Sequence, residues 1–411
     1  MIMAEKTTPG SSQEQWQAPD TIWNRIFISV FFSNLALNAG QSMSNSLLAK
    51  YADSMGAPSS QIGMLMSMFA LTALIFRFVS GPAMDSFNRK YIIMSAMGFM
   101  TVAYLGFSIS TSVKFLMIFR LVQGIGNSFA NACFLTIVAD ALPKDRLNTG
   151  MGYYSVAQVI VQAIGPTLGL QLVKWFGYSR TYSINACLMI CAILIAATLI
   201  KLPPRLPRKF SMRIKNIIAR EAVIPASVTF AVAMGFNTIS AFLIVYAAKR
   251  GVEEGIGFFF TVDALTMMVT RPMIGRLTDK YGFAKVGIPS IMMTMCSLMF
   301  IGFSDKLWMF LSAALVNGFG YGAVQPTLQA LCMKSVPKSR RGSASATQYI
   351  FLDSATLIGP TVAGFVARKA GYTPLMWIVM VIPLIAGIGI VFFSRRKIGA
   401  IEQRFKAGTM S

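Results

Sequence analysis

Apolar runs alternate with short charged segments along almost the whole chain. Each run is about 20 residues long, and as an α-helix it would cross a hydrocarbon core of about 30 Å. The pattern therefore predicts an all-α membrane protein with twelve transmembrane helices. The predicted spans lie near residues 24–48, 60–80, 91–110, 114–138, 148–172, 180–200, 222–248, 255–275, 286–303, 307–333, 344–366 and 374–393.

Composition agrees with this pattern. Of the 411 residues, 55% are hydrophobic and only 13% are charged, whereas soluble domains carry about 25% charged residues. A net charge of +22 would suggest nucleic acid in a soluble protein, but here the basic residues stand in short segments between apolar runs. That placement is typical of cytoplasmic loops, so we expect a lipid bilayer and no nucleic acid as partner.

The basic residues also predict the orientation. With both termini on one side, most of the 37 Lys and Arg residues fall on that side, and the positive-inside rule makes it cytoplasmic. The first 22 residues are polar and lack the apolar core of a secretory signal. We expect a multi-pass protein of the plasma membrane with a cytoplasmic tail at 1–23, six-helix halves at 24–200 and 222–393, and a second tail at 394–411.

The segment 201–221 separates the two halves. It holds seven basic residues, one acid and three prolines. This composition is typical of a domain linker. Its charges could rest on anionic lipid headgroups, or the segment could be a solvated connector.

Cysteine and histidine usage argues against metal and covalent chemistry. All five cysteines fall inside apolar runs, and the chain has no histidine. Disulfides and a zinc site are therefore not expected, and no cofactor is implied. No nucleophile stands beside a paired base, so the sequence does not indicate an enzyme.

The two halves repeat each other. A shift of 194 residues superimposes identical residues across five spans, which indicates two six-helix halves in parallel repeat. The matched pairs include Arg77 with Arg271, Gly81 with Gly275, Asp85 with Asp279, Gly124 with Gly318, Pro143 with Pro337, and Gly165-Pro166-Thr167 with Gly359-Pro360-Thr361.

A charged motif after span two carries a resemblance to a known family. The stretch RFVSGPAMDSFNRK and its copy GRLTDKYGFAK after span eight resemble the gating loop of the major facilitator superfamily. The resemblance covers about residues 24 to 393, and it points to the twelve-helix proton-coupled efflux branch. The matching positions are Gly81, Asp85, Arg89 and Lys90 in the first copy and Gly275, Asp279 and Gly282 in the second.

The resemblance implies a gate at this motif. Gly81 would let span two approach a neighbour closely, and Asp85 suits a helix N-terminus. In the family this acid closes the cytoplasmic side against the start of span eleven, and Asp140 resembles its acidic relay partner. The simpler alternatives are positive-inside charges for the motif and a plain helix-end charge for Asp140.

Spans four and five carry two further motifs. IFRLVQGIGNSFANA resembles the family's R-x-x-Q-G-x-G element, with Arg120 about 9 Å inside the span. Such an arginine faces a partner or a wet cavity, unless it snorkels to the nearby surface. Gly165-Pro166 in span five is similar to the antiporter signature and implies export. Gly359-Pro360 in span eleven leaves open that both are helix kinks inherited through the repeat.

Polar residues at helical spacing predict a substrate cavity. They form stripes on one face of spans one, four and ten, and the resemblance implies that these spans and span seven line the central cavity. Alternatively, single polar residues hold helices together in lipid. The residues are Asn34, Asn38, Gln41 and Asn45; Arg120, Gln123, Asn127 and Asn131; Asn317, Tyr321, Gln325 and Gln329; and Asn237 with Ser240 on span seven.

Two acids lie deep inside predicted spans. Asp263 and Asp353 should sit roughly 12 to 14 Å from their membrane surface. An ionised carboxylate is costly there, which favours the protonated form and suits a proton carrier. The alternatives are a static ion pair with Arg120 or a neutral, hydrogen-bonded acid.

These observations predict a secondary transporter with alternating access. The favoured function is proton-coupled export of a small organic solute by a monomer. One alternative is uptake by proton symport, with Arg120 receiving an anionic solute. Another is a non-transporting receptor or scaffold, which would have no need for repeated gating loops.

Overall fold

The computed structural model describes residues 21–199 and 210–408, and these are almost entirely α-helical. Short 3-10 turns at Lys144–Arg146, Arg220–Ala222 and Lys338–Arg340 precede three of the helices. The helices are α1 (Arg25–Ser54), α2 (Ser59–Ser86), α3 (Arg89–Ile109), α4 (Val113–Ala141), α5 (Leu147–Leu199), α6 (Ile214–Ile217), α7 (Val223–Lys249), α8 (Phe258–Tyr281), α9 (Phe283–Phe303), α10 (Leu307–Lys334), α11 (Arg341–Ala370) and α12 (Pro374–Lys406).

Helix α5 contains two membrane crossings. Its 53 residues are interrupted at Gly177, whose φ of 77° reverses the chain between a first and a second arm. This conformation is strained for residues with a Cβ atom and open to glycine. The two arms correspond to the predicted spans at 148–172 and 180–200.

Length and apolarity identify most of the spans. Nine described helical segments combine both properties, α5 among them. Helices α1 and α8 are also long enough to cross a bilayer, but they fall outside this group because they carry more polar side chains. Asn34 in α1 and Asp263 and Arg271 in α8 are buried inside the protein, where polar groups avoid lipid.

Helix α12 extends beyond its predicted span. The prediction ended it at residue 393, whereas the helix continues to Lys406. Its last turns pack on the protein, because the Glu402 carboxylate accepts a hydrogen bond of 3.0 Å from the backbone N–H of Phe283. The predicted tail is therefore helical over most of its described length. Part of the predicted linker, residues 200–209, lies outside the described residues.

Each half has its own apolar core, and the halves meet along two helix pairs. One core is built mainly from α1 to α5 and the other mainly from α7 to α12. Across the halves, α2 packs against α11 and α5 packs against α8. We call the end of the bundle where α1 begins and α12 ends the terminal face; α2 ends there and α11 begins there.

Candidate functional site

The carboxylate of Asp85 lies at the N-terminus of α11. It accepts hydrogen bonds from the backbone N–H groups of Gly342 at 2.7 Å and Ser343 at 2.9 Å, and from the Ser343 hydroxyl. The first N–H groups of a helix have no partner within the helix, and the helix dipole favours an anion there. One half of the protein therefore caps a helix of the other half.

The repeat places the same arrangement at the α5–α8 pair. Asp279 accepts hydrogen bonds from the backbone N–H groups of Asn148 at 3.0 Å and Thr149 at 2.9 Å, at the start of α5. The Asn148 amide and the Thr149 hydroxyl add bonds of 2.7 Å. Two carboxylates related by the duplication thus join the halves at the terminal face.

Asp140 joins two arginines of different halves. It pairs with Arg89 at the start of α3 and with Arg341 at the start of α11, the latter at 2.6 Å. The other two gating candidates have local roles. Lys90 donates from Nζ to the carbonyl oxygen of Ala197, and Gly282 has a φ of +83° in the turn between α8 and α9.

Glycines let the paired helices touch. A Cβ atom on Gly81 would lie 2.8 Å from Cβ of Ala346 and 3.2 Å from Cα of Ser343, both in α11. On Gly275 it would lie 2.6 Å from the carbonyl oxygen of Asn148 in α5. The observed approach of the halves therefore requires glycine at both positions.

Gly81→Ala is expected to shift the protein away from this closed arrangement, because α2 and α11 must separate to accommodate the methyl group. The reporter is Ser345→Cys in a cysteine-free background, since Ser345 is buried between the halves, with its hydroxyl 3.0 Å from that of Thr136. Gly81→Ala should speed its labelling by a membrane-impermeant maleimide. Gly63→Ala is the control on the same helix, because no atom lies within 4 Å of the added Cβ, and it should leave the labelling rate unchanged. Equal labelling of the two variants would contradict the packing argument.

Deeper in the bundle, Arg77 of α2 pairs with Asp353 of α11. The Nε–Oδ2 distance is 2.9 Å, and the guanidinium is 1% exposed. It also donates to the Ser128 carbonyl oxygen and lies 4.3 Å from the ring centroid of Tyr349. Among the hydrogen bonds and ion pairs that the described residues form between α2 and α11, this one lies farther from the terminal face than those of Asp85.

The position of Arg77 corrects the sequence analysis. Arg77 and Arg271 belong to the charged motifs that the sequence suggested as loops, but both arginines lie inside helices and are buried. Asp353 was expected to pair with Arg120 if it formed an ion pair, and its partner is Arg77 instead. A signal was present, since Arg77 falls inside the predicted span at 60–80 and is repeated as Arg271.

Asp263 lies in a separate cluster within the second half. It is 5% exposed, and the Asn317 amide of α10 donates to it at 2.9 Å. Arg271 stands two turns further along α8 and donates to the Ser155 carbonyl oxygen of α5 at 2.5 Å. The arginine thus repeats the position of Arg77, but it reaches a carbonyl oxygen across the halves where Arg77 reaches a carboxylate.

Arg120 lies in the first half, away from both acids. It donates to Gln123 at 2.6 Å and to Asn45 of α1 at 3.0 Å, and it lies 4.5 Å from the ring centroid of Phe69. At 1% exposure the side chain does not snorkel to the surface. Arg120, Asp263 and Asp353 therefore have separate sets of hydrogen-bonding partners.

The remaining stripe residues form short polar contacts within their halves. The Ser240 hydroxyl donates to the Phe236 carbonyl oxygen of its own helix, and Gln41 is half-buried. The Tyr321 ring stacks on the Phe236 ring, with centroids 3.9 Å apart. The buried Gln325 and Gln329 each have a carboxamide oxygen without a hydrogen-bond partner among the described residues. Side-chain hydrogen bonds within one half run from Asn38 to Asn34 at 2.8 Å, from Asn131 to Asn127 at 2.7 Å, and from Asn237 to Thr356 at 3.1 Å.

Both Gly-Pro pairs lie inside helices that contact a neighbour of the same half. A Cβ atom on Gly165 of α5 would lie 2.6 Å from the Ser42 hydroxyl of α1, and one on Gly359 of α11 would lie 2.8 Å from the Met234 carbonyl oxygen of α7. Pro166 and Pro360 follow within these helices. The two pairs therefore occupy equivalent places in the repeat.

Fold and site together define a membrane protein made of two repeated six-helix halves with charged contacts between them. The Major Facilitator Superfamily model matches residues 30–353 and 226–408. The chain belongs to this superfamily and is a transporter of that fold.

Named relatives and solved structures agree with this membership. The chain is 23% identical over 361 residues to the uncharacterized MFS-type transporter YhhS of Escherichia coli K12, covering 85% of this chain and 87% of that protein. It is 24% identical over 367 residues to the multi-drug resistance efflux pump PmrA homolog of Lactococcus lactis, covering 85% and 90%. The crystal structure of the human organic anion transporter MFSD10 (TETRAN) is similar with a TM-score of 0.77 at 17% identity, covering 89% of this chain and 99% of that one.

Proposed function

We propose that this transporter exports a small organic solute in exchange for protons. The observation that carries the proposal is the ion pair between Arg77 and Asp353, which joins α2 of one half to α11 of the other. Asp353 lies twelve residues after the start of α11, or about 18 Å from the terminal face along the helix. The proposal makes this carboxylate the proton carrier.

The pair offers a direct link between protonation and movement. Ionised Asp353 attracts the Arg77 guanidinium and holds α2 against α11. Protonation removes the charge of Asp353, so the attraction is lost and a buried cation remains without its counter-ion, which is strongly unfavourable. Proton binding therefore favours separation of the halves at the terminal face.

We further propose that the terminal face is cytoplasmic, as the positive-inside rule predicts. The described structure is then closed toward the cytoplasm by the contacts of Asp85, Asp279 and Asp140. A proton reaching Asp353 from outside would open this side. On the cytoplasmic side, Asp353 would then release its proton and the solute would bind. The Arg77–Asp353 pair could form again, which closes this side while the solute leaves outward.

Two other features support export. Relatives named as multidrug efflux pumps align with most of this chain, and the Gly-Pro pair of α5 resembles the antiporter signature. Asp263 is the second proton-carrier candidate. Its carboxylate is buried against the Asn317 amide, so its ionisation does not act on the contact between the halves as directly as that of Asp353.

The proposal is tested by solute flux in oriented membrane vesicles with an imposed pH gradient. Inside-out vesicles with an acidic lumen should accumulate a small organic solute such as naphthalenesulfonate, and a protonophore should abolish the accumulation. Vesicles that carry no copies of the protein are the control. Accumulation only in right-side-out vesicles with an acidic exterior would contradict export and indicate proton symport.

A further inference from the structure

Arginines outnumber acids deep in the described helices. Three arginines, Arg77, Arg120 and Arg271, are at most 4% exposed there, and two acids, the buried Asp263 and the partly exposed Asp353, accompany them. Asp353 pairs directly with Arg77. Asp263 and Arg271 share α8, but Asp263 binds the Asn317 amide and Arg271 binds the Ser155 carbonyl oxygen. Among the described residues, neither Arg120 nor Arg271 has a carboxylate within 4.0 Å, and of the three arginines only Arg120 donates to an exposed side chain, that of Asn45.

The surroundings of Arg120 are polar but neutral. Its described acceptors are the amide oxygens of Gln123 and Asn45, and the Phe69 ring covers one face. No carboxylate lies within 4.0 Å of its guanidinium in residues 21–199 and 210–408, and its Nε has no acceptor there. A buried cation without a counter-ion is costly, so this site favours an anion.

The repeat shows that this charge is specific to the first half. The shift of 194 residues places Arg120 on Ala314, Gln123 on Asn317, and Phe69 on Asp263. In the second half the equivalent amide, Asn317, therefore binds an acid. In the first half Gln123 binds a cation. The equivalent amides of the two halves thus contact groups of opposite charge.

Asn45 is an exposed residue that contacts the buried Arg120. Its side chain is exposed and shares a face of α1 with Asn38 and Gln41. Its amide oxygen accepts a 3.0 Å hydrogen bond from the buried guanidinium. A carboxylate, sulfonate or phosphate oxygen that replaced this amide oxygen would form a charge-assisted bond, about twice as strong as a neutral one.

We propose that the solute is an organic anion and that its charged group binds Arg120 in exchange for the Asn45 amide. The inference rests on the proposed function, because it names the substrate class of the same cavity. It also makes the exchange electrogenic. One proton inward against one anion outward moves two positive charges inward, so an inside-negative potential drives export.

The test measures binding of three probes of similar shape and different charge: naphthoate, naphthamide and naphthylmethylammonium. Isothermal titration calorimetry of the full chain in nanodiscs, without any gradient, should show naphthoate binding about tenfold more tightly than the other two. Asn45→Asp supplies the missing carboxylate with almost no change of shape. It should abolish the preference for naphthoate and raise the thermal unfolding temperature.

Asn237→Asp is the matched control, because it adds the same charge to the stripe of the second half, away from Arg120. It should weaken naphthoate binding less than Asn45→Asp does. The proposal is overturned if the wild type does not prefer naphthoate, or if Asn45→Asp keeps that preference. Neither result depends on proton coupling, so an anion-binding protein without pH-driven flux would contradict only the proposed function.

Discussion

Asp353→Asn is expected to lose proton-driven export while it still binds the solute. Asparagine cannot bind and release a proton, and it leaves Arg77 buried without a counter-ion. Removing one partner of a buried ion pair costs about 3 to 5 kcal/mol, which shifts the equilibrium away from the closed terminal face by about 100-fold or more. Flux in inside-out vesicles should no longer respond to a pH gradient, and only downhill movement of the solute should remain.

Two variants separate coupling from folding. Asp305→Asn changes an exposed acid between α9 and α10 and should leave the pH response intact. The double variant Arg77→Gln with Asp353→Asn removes both charges, so it should recover thermal stability relative to Asp353→Asn alone. It should still lack coupling. A double variant that regained pH-driven flux would show that Asp353 acts only as a structural partner of Arg77.

Asp85→Asn is expected to open the terminal face without removing the proton carrier. The carboxylate accepts two backbone N–H groups and one hydroxyl from α11, whereas an asparagine side chain offers one acceptor oxygen and no charge. Hydrogen bonds to charged groups contribute about 1.5 to 3 kcal/mol, so the closed state should lose about 2 kcal/mol, or roughly 30-fold in population. Labelling of Ser345→Cys should rise accordingly.

Asp145→Asn provides the comparison for Asp85→Asn. Asp145 is at the same face, but it is exposed and contacts the equally exposed Arg146 at 3.5 Å. Exposed pairs contribute about 0 to 1 kcal/mol, so labelling should stay near the wild-type rate. The repeat further requires that Asp279→Asn resemble Asp85→Asn. A large effect at one carboxylate alone would show that the two junctions do not close together.

The fold could be predicted from the sequence because a bilayer restricts the choices. Apolar length identifies helices, and identical residues at one offset reveal the duplication. Local features of the backbone could not be predicted in this way. Gly177 interrupts α5 with a positive φ that apolar length does not reveal, and α12 continues past residue 393 because its last turns bind Phe283 through Glu402.

The candidate site was predicted less completely. Helical spacing identified the stripes and the two acids, but it could not fix which side chains meet across the halves. That depends on how α2 and α11 are rotated against each other. The pairing of Arg77 with Asp353, and the neutral surroundings of Arg120, emerge only when these helices are packed.

The central claim is that protonation of Asp353 opens the terminal face. Electron–electron distance measurements between spin labels at Phe87, after the end of α2, and Lys338, before α11, test it most directly. In the wild type the distance should lengthen when the pH is lowered, and Asp353→Asn should show the long distance at every pH. A wild-type distance that does not respond to pH, or a variant that still responds as the wild type does, would contradict the account.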